Sequence, residues 1–130
     1  MVFLGAKDCK GLDDEFHITA ISLEEYKRNM EYLTASLIRG GKKLILVTIP
    51  DVDNVRLKTY LPANNLCYNQ KRIDQTNEFL RDLARRKEIE LVDFSAEIRA
   101  QREDVLEKDG LHLNSKGQTI LCELLLRILP

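Results

Sequence analysis

The sequence predicts an α/β fold in which a parallel sheet is sandwiched between helices. Two short runs, Val2-Phe3-Leu4 and Leu44-Ile45-Leu46-Val47-Thr48-Ile49, are apolar without alternation, as in strands covered on both faces. Segments with helical periodicity separate the strand-like runs. The connections are also too long for hairpins, which leaves crossovers between parallel strands, right-handed by rule.

The elements follow in order. Gly5 ends the first run, and a polar, Gly-containing loop is expected from residue 6 to about 21. Ser22-Leu23-Glu24-Glu25 has the form of a capping box: the Ser22 hydroxyl accepts the third backbone N–H, and Glu25 reaches back. Leu23, Tyr26, Met30, Leu33 and Leu37 then give one apolar helix face as far as Arg39, and Gly40-Gly41 supplies a left-handed stop. Pro50 ends the second strand by removing a ladder donor. Residues 50–69, with Pro62 and Asn64-Asn65, read as a long polar loop, and loops of that length are usually functional or mobile.

Ile73, Thr76, Leu80, Leu83 and Ala84 mark a second helix, closed by Arg85-Arg86-Lys87 where positive charge suits the helix dipole. Residues 89–94 form the third strand, and Ser95 is placed as the cap of a short helix through Ala100. Residues 101–114 form a loop. Ser115 and Gln118 match a second capping box before Ile120, Leu121, Leu124, Leu125 and Ile128, the apolar face of the last helix. The order is β-α-β-α-β-α, with no internal repeat.

Composition bounds the function. A chain of 130 residues is one domain, and 44% hydrophobic with 32% charged residues is an ordinary soluble composition. A net charge of −1 provides no footprint for a phosphate backbone, so nucleic acid is not an expected partner. Cys9, Cys67 and Cys122 are odd in number and scattered, which reads as reduced thiols in a cytoplasmic protein. The apolar start is too short for a signal peptide or a membrane span. His17, His112 and the cysteines have no metal-ligand spacing. Neither G-x-x-x-x-G-K-[ST] nor G-x-G-x-x-G occurs, and Asp8, Asp51 and Asp93 form only a loose acidic set, so a nucleotide-binding or receiver domain is disfavoured.

The most informative stretch is Asp109-Gly110-Leu111-His112-Leu113-Asn114. A carboxylate three residues before a histidine, in a Gly-containing turn leading into an apolar helix, can form the acid–base part of an acyl-transfer relay. Taken alone, the same residues also describe an Asp-capped turn followed by a surface histidine.

Together with Val2-Phe3-Leu4-Gly5-Ala6-Lys7-Asp8, the strand ending at Pro50, and Val92-Asp93-Phe94, this stretch resembles the SGNH (GDSL-type) hydrolases, nearest to the isoamyl-acetate-hydrolysing esterases. The resemblance spans the chain but matches only the C-terminal part of a family domain. It implies a three-layer α/β/α, flavodoxin-like fold whose N-terminal strand–helix units are missing. It also implies carboxylic-ester hydrolysis without metal or cofactor, on small acyl esters. Asp109 and His112 match the triad's acid and base.

Gly5-Ala6-Lys7-Asp8 aligns with a block that normally reads Gly-x-Asn-Asp, whose Asn is an oxyanion-hole donor; here that position is Lys7. Losing one such donor typically costs on the order of 10²–10³ in rate. The family's nucleophilic Ser, in a Gly-Asp-Ser turn, falls upstream of Met1. Of the chain's own serines, Ser22, Ser95 and Ser115 read as caps and Ser36 lies within a helix.

The expectations are an inactive esterase piece with Asp109 and His112 as its catalytic residues, Lys7 in the oxyanion region, and Gly5, Asp8 and Pro50 beside the substrate. The Tyr60-to-Tyr68 loop is a further candidate for the pocket. The alternative is a non-catalytic pseudoenzyme that binds a partner, or a second copy, through an uncovered edge at Val2, Phe3 and Leu4.

Overall fold

The computed structural model describes residues 1–12, 20–62 and 66–129 of the chain. Its elements are β1 (Lys10–Leu12), α1 (Leu23–Arg39), β2 (Ile45–Val47), α2 (Asn54–Tyr60), β3 (Leu66–Tyr68), α3 (Gln70–Lys87), β4 (Glu90–Val92), α4 (Phe94–Gln101) and α5 (Ser115–Ile128), with a 3₁₀ turn at Lys7–Cys9. His17, Asn64 and Asn65 lie outside the described residues.

The centre is a parallel sheet. β2 pairs with β4 in the register Leu46↔Leu91, and Val2 bridges to Leu46 on the other side of β2. Val2 donates to the Ile45 carbonyl at 2.8 Å and accepts from Val47 N–H at 3.1 Å. Because side chains alternate across a strand, Ile45 and Val47 point to one face and Leu46 to the other. On the first face they meet Val92, Phe94, Ile98 and Ile120; on the second, Leu46 meets Tyr26, Met30, Leu80 and Leu83. Val2 packs with the second group and Phe3 with the first. The fold is therefore α/β/α, with α1 and α3 on one side and α4 and α5 on the other.

Several local expectations are corrected. Residues 50–69 are not one loop: they contain α2 and β3, because Asp53 caps a helix by accepting from Val55 and Arg56 N–H at 3.0 Å. Within the expected loop of residues 6–21, β1 pairs antiparallel with β3, Gly11 opposite Cys67. Ser22 does accept Glu25 N–H at 3.1 Å, but the Glu25 carboxylate lies 3.8 Å from Arg28.

Ser95 is not a cap. Asp93 caps α4, while Ser95 sits inside the helix, 1% exposed, with its hydroxyl unpartnered. Asn114, not Ser115, caps α5 by accepting Gly117 N–H at 2.9 Å. Asp93 and Asn114, two and one residues earlier, win because they occupy the N-cap position itself and their side-chain oxygens accept Ala96 N–H at 3.3 Å and Gly117 N–H at 2.9 Å. The Arg85-Arg86-Lys87 cluster is occupied by Asp82 and Glu31, at distances from 2.6 to 3.7 Å.

Past β2 the backbone at Ile49 has no neighbouring strand to satisfy it. Asn77, 1% exposed on α3, takes that place: it accepts Ile49 N–H at 2.7 Å and donates to the Ile49 carbonyl at 2.7 Å. Asn77→Ala would leave both backbone groups buried and unpaired, each costing about 1–3 kcal/mol. The expected loss is about 3 kcal/mol in urea unfolding; a loss under about 1 kcal/mol would show that the strand end satisfies itself otherwise.

Candidate active site

The turn before α5 is built by its own side chains. Gly110 adopts φ +71° and its N–H bonds the Glu107 carbonyl at 2.9 Å, closing a tight reversal. Glu107 N–H reaches the His112 carbonyl at 2.7 Å, and Leu106 bridges antiparallel to Leu113. Asn114 ties the start of this excursion to its end, donating to the Asp104 carbonyl at 3.0 Å and the Leu106 carbonyl at 3.1 Å.

Asp109 uses its two oxygens differently. Oδ1 accepts Leu111 N–H at 2.9 Å and His112 N–H at 3.0 Å, while Oδ2 lies 2.6 Å from His112 Nδ1. The capped turn and the acid–imidazole pair, which the sequence offered as alternatives, thus coexist in one carboxylate. Burial works to raise the Asp109 pKa, but the bonds from the His112 ring and from the Leu111 and His112 backbone prevail and hold it below the usual carboxylate range. An ionised Asp109 can only accept, so Nδ1–H of His112 donates, and whenever the ring is neutral its lone pair is on Nε2. The Asp109 side chain is 18% exposed and that of His112 74%, so the acid is sheltered and the base open.

His112 lines a cavity of about 560 Å³ at the carboxyl ends of the parallel strands. Gly5, Lys7, Asp8 and Pro50 line it as well, so the structure brings together every sequence-selected residue except Asp109, which stands behind His112. Phe3, Leu4, Ala6, Ile49, Tyr68, Leu111 and Leu113 make the remaining wall largely apolar. Of the Tyr60-to-Tyr68 segment, Tyr68 lines the cavity, whereas Tyr60 is exposed.

Gly5 allows the wall its shape. Its φ is +122°, and a Cβ there would lie 2.8 Å from Ile49 Cδ1 and 2.9 Å from the Tyr26 hydroxyl. Tyr26 donates from that hydroxyl to the Leu4 carbonyl at 3.3 Å, and its phenol pKa is pushed well up, chiefly by burial. Asp8 is also raised, mainly by burial, with Arg72 opposing.

No serine lines the cavity among the described residues. Cys9, fully buried beneath the rim, is a poor substitute nucleophile: burial raises its thiol pKa, against an opposing hydrogen bond with Thr76 at 3.6 Å. Asp51 and Asp93 are committed elsewhere, Asp51 to Arg99 and Asp93 to Arg81 at 2.7 and 2.9 Å. Among the described residues no cluster of His, Cys, Asp or Glu could hold a metal ion, and no helix is long and apolar enough to cross a membrane.

Sequence reasoning missed Asp53, Asn54 and Arg56, which lie in what read as a loop. Asn54 accepts Tyr68 N–H and donates to the Tyr68 carbonyl, both at 2.8 Å, fixing the cavity wall. Asp53 N–H bonds the Gly110 carbonyl at 2.9 Å. The available signal was an Asp-Asn pair just ahead of Val55 and Leu57, a helix start.

Comparison with known proteins bears on the family and the fold. The model of the GDSL-like lipase/acylhydrolase family matches residues 1–125. Among solved structures, a lipase/acylhydrolase from Enterococcus faecalis superposes with a TM-score of 0.74 at 22% identity, over 96% of this chain and 57% of that one. That likeness carries the fold; this chain spans little more than half the length of its structural neighbour. No curated protein sequence matches the chain. On the family match across nearly its whole length, the chain belongs to the GDSL-like lipase/acylhydrolase family.

Proposed function

We propose that this chain carries the acid–base half of a carboxylic-ester hydrolase, and that the nucleophilic serine comes from outside its 130 residues. The observation that carries the reading is His112 on the cavity rim with its Nδ1 2.6 Å from Oδ2 of Asp109, whose carboxyl is held below the usual range. In this reading a serine Oγ attacks the ester carbonyl while Nε2 takes its proton, and Asp109 stabilises the imidazolium. His112 then returns the proton to the departing alcohol, and water repeats the sequence on the acyl-serine. Lys7 stands at the same cavity as a cation near the developing oxyanion. The apolar wall suits a small acyl or alkyl group better than a charged one.

A second reading, a non-catalytic relative that binds through its sheet edge, is favoured by one observation. Val2 spends both backbone groups on β2, so those of Phe3 face away from it, and they have no hydrogen-bond partner among the described residues. Cys9, Cys67 and Cys122 form no disulfide with one another, which supports a reducing, cytoplasmic setting, and the net charge of −1 supports a small-molecule rather than a nucleic-acid partner.

Hydrolysis of p-nitrophenyl acetate separates these readings. We expect none above background from the 130-residue chain, and turnover from a form extended upstream by a Gly-Asp-Ser segment. Robust hydrolysis by the short chain, abolished in His112→Ala, would overturn the claim of an external nucleophile. An inert extended form would favour the binding reading.

A further inference from the structure

We propose that Arg56, on α2, is the positioning residue of the Asp109–His112 pair, an inference that rests on the reading of that pair as acid and base. The guanidinium is spread across four acceptors. Nε donates to Asp53 Oδ2 at 2.8 Å, Nη2 to Asp104 Oδ1 at 2.9 Å, and Nη1 lies 3.5 Å from the carbonyls of both Leu106 and Glu107. Glu107 is the residue whose N–H holds the His112 carbonyl and whose carbonyl holds Gly110 N–H. Arg56 therefore grips the inner side of the ring of bonds that closes around the pair.

The grip is completed from the same helix start. Asp53, which orients Arg56, donates its own N–H to the Gly110 carbonyl at 2.9 Å. Residues 104–107 contain no helix or extended strand, only the single bridge at Leu106, so this segment takes its place from what holds it. A planar fork that satisfies two carboxylates and two carbonyls fixes direction as well as charge; a lysine in its place could supply the charge alone. The consequence reaches the imidazole through Asp109. If residues 107–110 shift, the Oδ2 acceptor leaves the Nδ1–H, and neutral His112 reverts toward the Nε2–H tautomer that a free imidazole prefers. That tautomer has no lone pair on the nitrogen facing the cavity.

The test reads the tautomer directly, by two-bond ¹H–¹⁵N spectra of the intact chain in a His17→Gln background, where His112 is the one imidazole. The parent should show Nδ1–H as the major neutral form. Arg56→Gln should turn it into the minor form. Arg86→Gln removes a guanidinium that bonds Asp82 and Glu31, away from the turn, and should leave the spectrum unchanged. Should Arg56→Gln fail to fold, Arg56→Lys decides, with the same loss of Nδ1–H expected despite the retained charge. A folded Arg56→Gln or Arg56→Lys that keeps Nδ1–H dominant would overturn the proposal.

The functional reading is judged separately. In the extended, ester-hydrolysing form, Arg56→Gln should lower kcat about tenfold or more with KM little changed. If His112→Ala leaves that hydrolysis intact, the reading of the pair fails, whatever the tautomer of the Arg56 variants.

Discussion

In an ester-hydrolysing form that supplies the serine, His112→Ala is expected to lower kcat for p-nitrophenyl acetate by on the order of 10⁴-fold or more, with KM little changed. The argument is one of proton inventory. Nδ1 is engaged by Asp109 at 2.6 Å, so Nε2 is the ring atom left to remove the serine proton. Alanine removes the rim imidazole, and Asp8, the carboxylate that also lines the cavity, is held above its ordinary range chiefly by burial, with Arg72 opposing. Asp109→Asn should cost a comparable factor, on the order of 10⁴, because an amide at that position can offer a donor and lock the ring in the wrong tautomer. Steady-state rates for both variants check this. Activity within tenfold of the parent in His112→Ala would remove the base from the mechanism.

Gly110→Ala is expected to be the most destabilising single change in the turn, by about 3 kcal/mol, with a fall in Tm on the order of 10 °C. Two costs combine. At φ +71° an L side chain is strained, and a Cβ would sit 2.8 Å from Arg56 Cβ and even closer to the Asp53 carbonyl oxygen. Neither neighbour can yield cheaply, since one is backbone and the other belongs to the side chain that clamps residues 104–107. Gly110→Asn separates the terms: asparagine tolerates the left-handed region but still carries a Cβ. It should recover only the backbone part of the loss. Full stability of the alanine variant in thermal melts would mean that the turn does not press against α2.

The sandwich was legible because its signals are local. Leu44 to Ile49 carries no polar residue but Thr48, Leu23 to Leu37 repeats at helical spacing, and Asp109 and His112 are three residues apart, so each reading needed only its own neighbourhood. What escaped depends on distance. β1 and β3 are three residues each and exist as strands because they find one another across more than fifty positions. Asn77 looks like any polar helix residue until the chain end of β2 arrives beside it. Arg56 reads as a surface charge in a loop, and its four acceptors are spread from Asp53 to Glu107. The misplaced caps at Ser95 and Ser115 had a different cause: Asp93 and Asn114 compete for the same backbone donors one or two positions earlier, and pattern alone did not rank them.

Phe3 remains. Its ring is locked edge-on against Phe94, 6.3 Å between centroids, while its amide and carbonyl look outward from the sheet. An amide without a hydrogen-bond partner trades its proton quickly, and a docked neighbour would slow that trade at one resolvable position. Deuterium uptake at this single residue thus reports whether the ribbon has been extended, without any need for turnover.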